Sequence, residues 1–226
     1  MRINLIRHST TSANEEGLVS GCRVDRSLSP QGIKIIEDLK AQGIYPEDPG
    51  VLYASGMKRA IETIQLIYPG REVHKRPGIN ERDFGDLEYY TREEALEYNR
   101  THPWMHADSS EADEDLDYKP NNGESTREVI ERTKREFPKL VDEFIEKGYD
   151  LVTICGHGAF FRDMAYAYKL PVLGGLGPDK FLDNGKGVKL EVEKDGDDLD
   201  IKIVGFIGGE KAEDVLINYI TRYKEN

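Results

Sequence analysis

Short apolar runs and amphipathic stretches alternate along this chain. Residues 3–6, 51–54 and 150–155 read as buried strands, with 72–75 as a shorter one. Helical spacing of apolar residues marks 30–41, 57–67, 91–99, 124–147, 160–168 and 210–224. Ser29-Pro30 suits a helix start, while Pro69-Gly70 and Gly148 suit helix ends. Residues 188–193 and 199–206 alternate apolar and polar around turn residues 194–198, the pattern of a hairpin. Strands alternating with helices predict an α/β fold, a three-layer α/β/α sandwich around a mostly parallel sheet. The late hairpin makes that sheet mixed. From 101 to 122 the periodicity fails, and Asp108–Asp115 is acidic and turn-prone. Residues 88–122 therefore read as an insertion or lid covering the active site of one domain spanning 1–226.

The bulk numbers remove several function classes. The 226 residues are 33% charged and 38% hydrophobic, as in a soluble globular domain. No apolar run approaches the ~18 residues of a membrane span, and no signal-peptide core follows Met1-Arg2. A cytoplasmic protein without a membrane partner is the expectation. The formal charge of −12, with no basic cluster, makes nucleic acid a poor partner. Cys22 and Cys155 lie far apart, with neither disulfide-framework nor zinc-knuckle spacing. His102 and His106 are four apart, but Pro103 and acidic neighbours argue against a metal site. A homo-oligomer stays open.

The candidate chemistry collects at strand ends. Arg7 and His8 close the first apolar run, and the carboxyl edge of an open α/β sheet is where ligands bind. A neutral imidazole beside a permanent cation suits attack on an anion such as a phosphate. Gly156-His157-Gly158 closes the strongest strand, and its glycines allow a sharp turn and close approach of a ligand. Arg59 falls in the first turn after a third strand end, and Glu81 in a loop. Each alone is as readily an ordinary strand end or a solvated side chain. Their case rests on their number.

Leu5-Ile6-Arg7-His8-Ser9-Thr10-Thr11-Ser12-Ala13-Asn14 resembles L-x-R-H-G-x-T-x-x-N, the signature of the histidine phosphatase (phosphoglycerate mutase-like) superfamily, and the resemblance continues in order. Gly21 with Asp25, Leu28, Ser29 and Gly32 is similar to G-x-x-D-x-x-L-[ST]-x-x-G. Ser55, Arg59, Ala60 and Thr63 follow S-x-x-x-R-A-x-x-T, and Glu81, Phe84, Gly85 and Glu88 follow E-x-x-F-G-x-x-E. Gly123-Glu124-Ser125 with Arg132, and His157-Gly158 with Arg162, complete the series. Two positions depart: Ser9 stands where glycine is usual, and Gly156 where serine or threonine is common. Ser9 adds a β-carbon beside the expected phosphate.

The resemblance implies that His8 attacks phosphorus and forms a phosphohistidine. It implies phosphate binding by Arg7, Arg59, Asn14 and His157, with Glu81 as general acid and then base. His157 counts among the catalytic groups. The arginines supply the charge, so neither metal nor cofactor is called for. A small phosphorylated metabolite is the expected partner. Ser9, Gly21, Tyr89, Tyr90 and Trp104 are candidates for substrate or lid contacts. Mutases of the family carry a basic pair in the insertion, whereas residues 104–118 here are acidic and lack arginine. A metal-independent phosphomonoester hydrolase is the first reading and a phosphoglycerate mutase the second. A phospho-ligand-binding module without catalysis is the third, disfavoured because His8, Arg7, Arg59, Glu81 and His157 are all present.

Overall fold

The computed structural model describes residues 1–101, 116–117, 119–170 and 182–208. Trp104, His102, His106, the rest of residues 102–115 and residue 118 of the expected insertion, and the expected 210–224 helix lie outside the described residues. Among the described residues six strands form one sheet: β1 (Arg2–Arg7), β2 (Val51–Ala54), β3 (Val73–Lys75), β4 (Leu151–Gly156), β5 (Gly187–Asp195) and β6 (Asp198–Ile207). Their order is β3-β2-β4-β1-β5-β6. The first four run parallel, and β5 and β6 add an antiparallel hairpin beside β1. The mostly parallel, mixed sheet read from the sequence is the one observed.

Both faces of the sheet are covered, so the core strands carry apolar residues on both sides. Ile3, Leu5, Tyr53, Val152 and Ile154 face α5 (Thr126–Glu146) and α6 (Gly158–Ala167), packing on Val129, Phe137, Phe144 and Phe160. Ile6, Leu52, Ala54 and Cys155 face α2 (Pro30–Ala41) and α3 (Lys58–Ile67), with Ile36, Ala60 and Ile64. Asn4 and Thr153, polar in this apolar layer, satisfy each other: Asn4 Nδ2 donates to Thr153 Oγ1 at 3.0 Å, which donates to Pro49 O at 2.6 Å.

Helix ends follow local chemistry. Ser29 caps α2, its Oγ accepting from Gly32 N, with Pro30 in the first turn. Ser125 and Glu128 form a capping box on α5. The helix α1 (Ser12–Glu15) was not read from the sequence, and neither were two 3-10 turns at Pro77–Ile79 and Gly85–Tyr89. All three are too short to show a period. α4 (Arg92–Thr101) begins beside the second of these turns. Among the described residues no helix is long and apolar enough to cross a membrane.

The register places the chemistry. β1 pairs with β4 so that Arg7 lies opposite Gly156, and His8 N donates to Gly156 O at 2.9 Å. The residues following the two strands, His8 and His157, therefore emerge side by side at the carboxyl edge.

Candidate active site

The rings of His8 and His157 lie 5.2 Å apart between centroids. Both side chains are buried. His8 Nδ1 is 2.6 Å from Ser9 O, an acceptor only, so Nδ1 carries the proton. Nε2 then holds a lone pair, and Arg59 Nε–H donates to it at 3.2 Å. Desolvation first, then the charges of Arg59 and Arg7, hold the His8 pKa well below the ordinary imidazole value. His8 is thus a neutral imidazole whose nucleophilic nitrogen points at a guanidinium.

Arg59 is fully buried, an expensive place for a charge unless it is fully bonded. Its Nη1 donates to Val24 O and its Nη2 to Gly21 O, each at 3.0 Å, with Asp25 Oδ1 at 3.9 Å. Burial draws its pKa down, against the opposing pull of Glu81, Asp25 and Glu88. The loop that receives Arg59 is gripped from its other side by Glu88. Glu88 Oε2 accepts from the backbone N–H of Gly21, Arg23 and Val24 at 2.9–3.0 Å, and Oε1 from Phe84 N at 3.0 Å. Carbonyls of the 21–24 loop thus face Arg59 and its amides face Glu88, fixing the guanidinium relative to His8. Thr63 completes the frame: its Oγ1 accepts from Ser9 N at 3.0 Å and donates to Arg59 O at 2.7 Å.

Arg7 reaches Leu182 O through Nη1 at 2.5 Å. Its guanidinium passes so close to Gly158 that a β-carbon there would lie 3.0 Å from Arg7 Cζ. Gly156, the departure before the late histidine, has a similar cause. A β-carbon would sit 2.7 Å from the Phe161 ring, so an aromatic occupies the space a serine would need. Asn184 Nδ2 donates to His8 O at 2.8 Å, and Gly185 N to Arg7 O at 3.0 Å, fastening the strand end from a distant segment.

Glu81 lies at the N-terminus of α6, where helix amides favour a carboxylate. Oε1 accepts from Phe160 N and Arg82 N, both at 2.9 Å, while Oε2 has one longer bond, 3.3 Å from Ala159 N. Oε2 is thus the oxygen better able to exchange a proton. Arg132 steadies this loop by donating to Gly78 O and Asn80 O at 3.1 and 2.9 Å while pairing with both oxygens of Glu124 at 2.9 Å. His157 Nε2 lies 2.7 Å from Ser55 Oγ, and its Nδ1 has no hydrogen-bond partner among the described residues. Desolvation, then Arg59, His8 and Arg7, lower its pKa well below the ordinary value.

The remaining candidates fall in different places. Asn14 Oδ1 accepts from Thr11 N at 3.0 Å and Thr11 Oγ1 at 2.9 Å in the capping box of α1, so this oxygen is committed to the turn. Ser9 is buried, and its hydroxyl donates to Gly32 O on α2 at 2.7 Å rather than facing a phosphate. Gly21 supplies a carbonyl to Arg59. Tyr90 packs on Tyr98 with centroids 5.8 Å apart, and Tyr89 is 70% exposed. Ser55, Thr63 and Glu88 stand in the motif strings, but nothing in the sequence says what they touch. Asn184 ends a Gly-rich stretch, 173–184, that the sequence offers as pocket lining, but no pattern singles out Asn184 itself.

Cys22, Asp83 and Glu88 bring three metal-type donor atoms within 4.8 Å. They suit a cation poorly. Glu88 is committed to four backbone amides and Asp83 pairs with Arg23 at 2.8 Å. Burial first, with neighbouring carboxylates, pushes the Cys22 thiol up to about 12, which disfavours the thiolate a metal requires.

Known proteins align with this fold and these strings. The chain is 29% identical over 172 residues to the 2,3-bisphosphoglycerate-dependent phosphoglycerate mutase of Parvibaculum lavamentivorans, covering 71% of this chain and 76% of that one. It is 29% identical over 208 residues to a phosphoglycerate mutase of Schizosaccharomyces pombe, covering 85% and 90%. A mycobacterial glucosyl-3-phosphoglycerate phosphatase shares the fold, with a TM-score of 0.68 at 22% identity over 90% of this chain and 97% of that one. So does the alpha-ribazole phosphatase of Shigella flexneri, with a TM-score of 0.64 at 23% identity over 90% and 95%. The family description "histidine phosphatase superfamily (branch 1)" matches residues 3–200, from the start of β1 into β6. Over that span the chain belongs to the histidine phosphatase superfamily.

Proposed function

We propose that this protein is a phosphomonoester hydrolase acting through a phosphohistidine at His8, on a small phosphorylated metabolite and without a metal. The observation that carries the reading is the neutral His8, with Nδ1–H on Ser9 O and the lone pair of Nε2 held by Arg59. An arriving phosphate dianion competes for that guanidinium. As Arg59 Nε–H turns to a phosphoryl oxygen, the lone pair is freed beside the phosphorus.

The Nε2–P bond forms as the P–O bond to the leaving group breaks. Positive charge on the ring is stabilised by the Nδ1–H bond to Ser9 O, and charge on the phosphoryl oxygens by Arg7, Arg59, Asn14 and His157. Protonated Glu81 gives its proton to the leaving oxygen. In the second half, Glu81 takes a proton from water, the water oxygen bonds to phosphorus, and the P–Nε2 bond breaks. Orthophosphate leaves and His8 returns to its neutral form. Arginines do the electrostatic work that a metal does elsewhere, in a chain whose net charge is otherwise negative.

A second reading, phosphoglycerate mutase, is favoured by the names of the aligned sequence relatives. Against it stands the sequence of residues 104–118, acidic and without arginine or lysine, which gives a carboxylate-bearing substrate no cation there. Three cations outside that stretch are alternatives: Arg82 donates to Glu124 O and Thr126 Oγ1 and Lys119 to Glu128, while Arg92 is an exposed side chain at the start of α4. Incubation with p-nitrophenyl phosphate and with 3-phosphoglycerate, in chelator and without added metal, separates the readings. Free orthophosphate is the expected product. 2-Phosphoglycerate without orthophosphate, stimulated by a bisphosphoglycerate primer, would establish the mutase instead.

A further inference from the structure

The buried Ser55–His157 pair decides which ring nitrogen of His157 carries its proton. Ser55 is fully buried, and among the described residues its Oγ has two partners: Met57 N at 3.3 Å and His157 Nε2 at 2.7 Å. Met57 N–H is a donor only, so it uses an acceptor lone pair of Oγ. Among the described residues the hydroxyl proton then has one acceptor within reach, His157 Nε2. That requires Nε2 to be unprotonated and Nδ1 to carry the hydrogen. In the opposite tautomer, Nε2–H would donate to Oγ. Ser55 O–H would then lack an acceptor and Nδ1 would be a bare buried lone pair, leaving two unsatisfied groups instead of one. Each costs about 1–3 kcal/mol, which favours the Nδ1–H form.

The group left over is informative. Nδ1 of His157 is buried and has no partner among the described residues, in a site where Arg59, Arg7 and Arg132 act on the ring. A buried N–H donor among cations is completed by an anion that accepts. We propose that Ser55 is a positioning residue that fixes His157 with its proton on Nδ1, making that ring a hydrogen-bond donor to the phosphoryl group. The phosphoryl part rests on the function proposed above; the tautomer does not. Both histidines then carry hydrogen on Nδ1 but put it to opposite uses. His8 turns Nδ1–H to its own backbone and offers a lone pair, while His157 turns its lone pair to Ser55 and offers an N–H.

The test is long-range proton–nitrogen NMR of the protein labelled with nitrogen-15 histidine, ligand-free and then with orthophosphate as the probe. His157 is assigned by its loss in His157→Gln. In the wild type, Nδ1 of His157 should show the shift of a protonated nitrogen and Nε2 that of a bare one. Ser55→Ala should move the population toward Nε2–H and weaken orthophosphate binding about tenfold, the effect of one lost hydrogen bond. Ser55→Thr, which keeps the hydroxyl, should restore both. A wild-type His157 protonated on Nε2 overturns the proposal even if Ser55→Ala fails to fold, and so does an unchanged tautomer in a folded Ser55→Ala. An Nδ1–H signal in a protein that hydrolyses no phosphomonoester supports the Ser55 assignment and overturns the functional reading alone.

Discussion

Two imidazoles held neutral in a buried, cationic site make stability depend on pH in a calculable way. The native pKa values of His8 and His157 lie well below the ordinary value, through desolvation and the nearby arginines. In the unfolded chain each returns to about 6.5. As pH falls below that value, the unfolded state takes up protons that the native state refuses, so stability falls with falling pH until the native pKa is reached. For one group the loss between pH 7.5 and 5.5 is about 1.4 kcal/mol, and for two about 2.7 kcal/mol. That is a large part of a typical domain stability of about 5–15 kcal/mol. Glu88 and Asp163, whose pKa values burial raises, act with the opposite sign. A comparison with the His8→Asn/His157→Asn double variant removes their effect, because they are present in both proteins. Urea unfolding followed by circular dichroism, in phosphate-free buffers at pH 7.5 and 5.5, gives the two differences. The wild type should lose about 2.7 kcal/mol more than the double variant. Equal losses would mean that the histidines protonate normally in the native protein, and the picture of a neutral resting nucleophile would be refuted.

Three further outcomes follow from the contacts. Arg59→Lys keeps a charge, but one ammonium cannot replace bonds to His8, Val24 and Gly21. kcat with p-nitrophenyl phosphate should fall about 10²–10³-fold, and stability should drop by about 1–3 kcal/mol for each orphaned carbonyl. Glu81→Gln should cost about 10²–10⁴-fold in kcat with alkyl phosphates and less with p-nitrophenyl phosphate, whose leaving group needs no proton; equal losses would place Glu81 outside proton transfer. Ser9→Gly deletes the bond to Gly32 O and frees the backbone, so it should destabilise by about 1–2.5 kcal/mol in urea titrations. The same variant should leave KM for p-nitrophenyl phosphate within about threefold, since a hydroxyl turned to α2 does not define the phosphate pocket.

Much of this architecture was legible in the chain because it rests on period and order. The strands at 51–54 and 150–155 and the hairpin carried their burial patterns openly. The parallel sheet followed from alternation, and the meeting of His8 and His157 from both lying at strand ends. The supporting contacts were not legible. Glu88 is 67 residues from the amide of Gly21 that it accepts from, and Asn184 is 176 residues from the His8 carbonyl. No local pattern encodes such pairings, which depend on how loops close over the sheet edge. Ser9 shows the complementary limit. Its identity suggested a change in the phosphate pocket, whereas its hydroxyl direction, toward Gly32, is set by the packing of α2 against the strand end. The short helix at Ser12–Glu15 carries no periodic signature because four residues hold one turn and a cap, too little for a repeat.

The central claim, that Nε2 of His8 takes the phosphoryl group, is tested most directly by trapping the intermediate. Acid-free quenching within milliseconds of mixing with p-nitrophenyl phosphate, followed by peptide mass spectrometry and phosphorus NMR, locates the phosphoryl group. A phosphoramidate on Nε2 of His8, stable in base, labile in acid and absent from His8→Ala, is the expected result. Turnover with no label at His8, or a label on Nδ1 or another side chain, would contradict it.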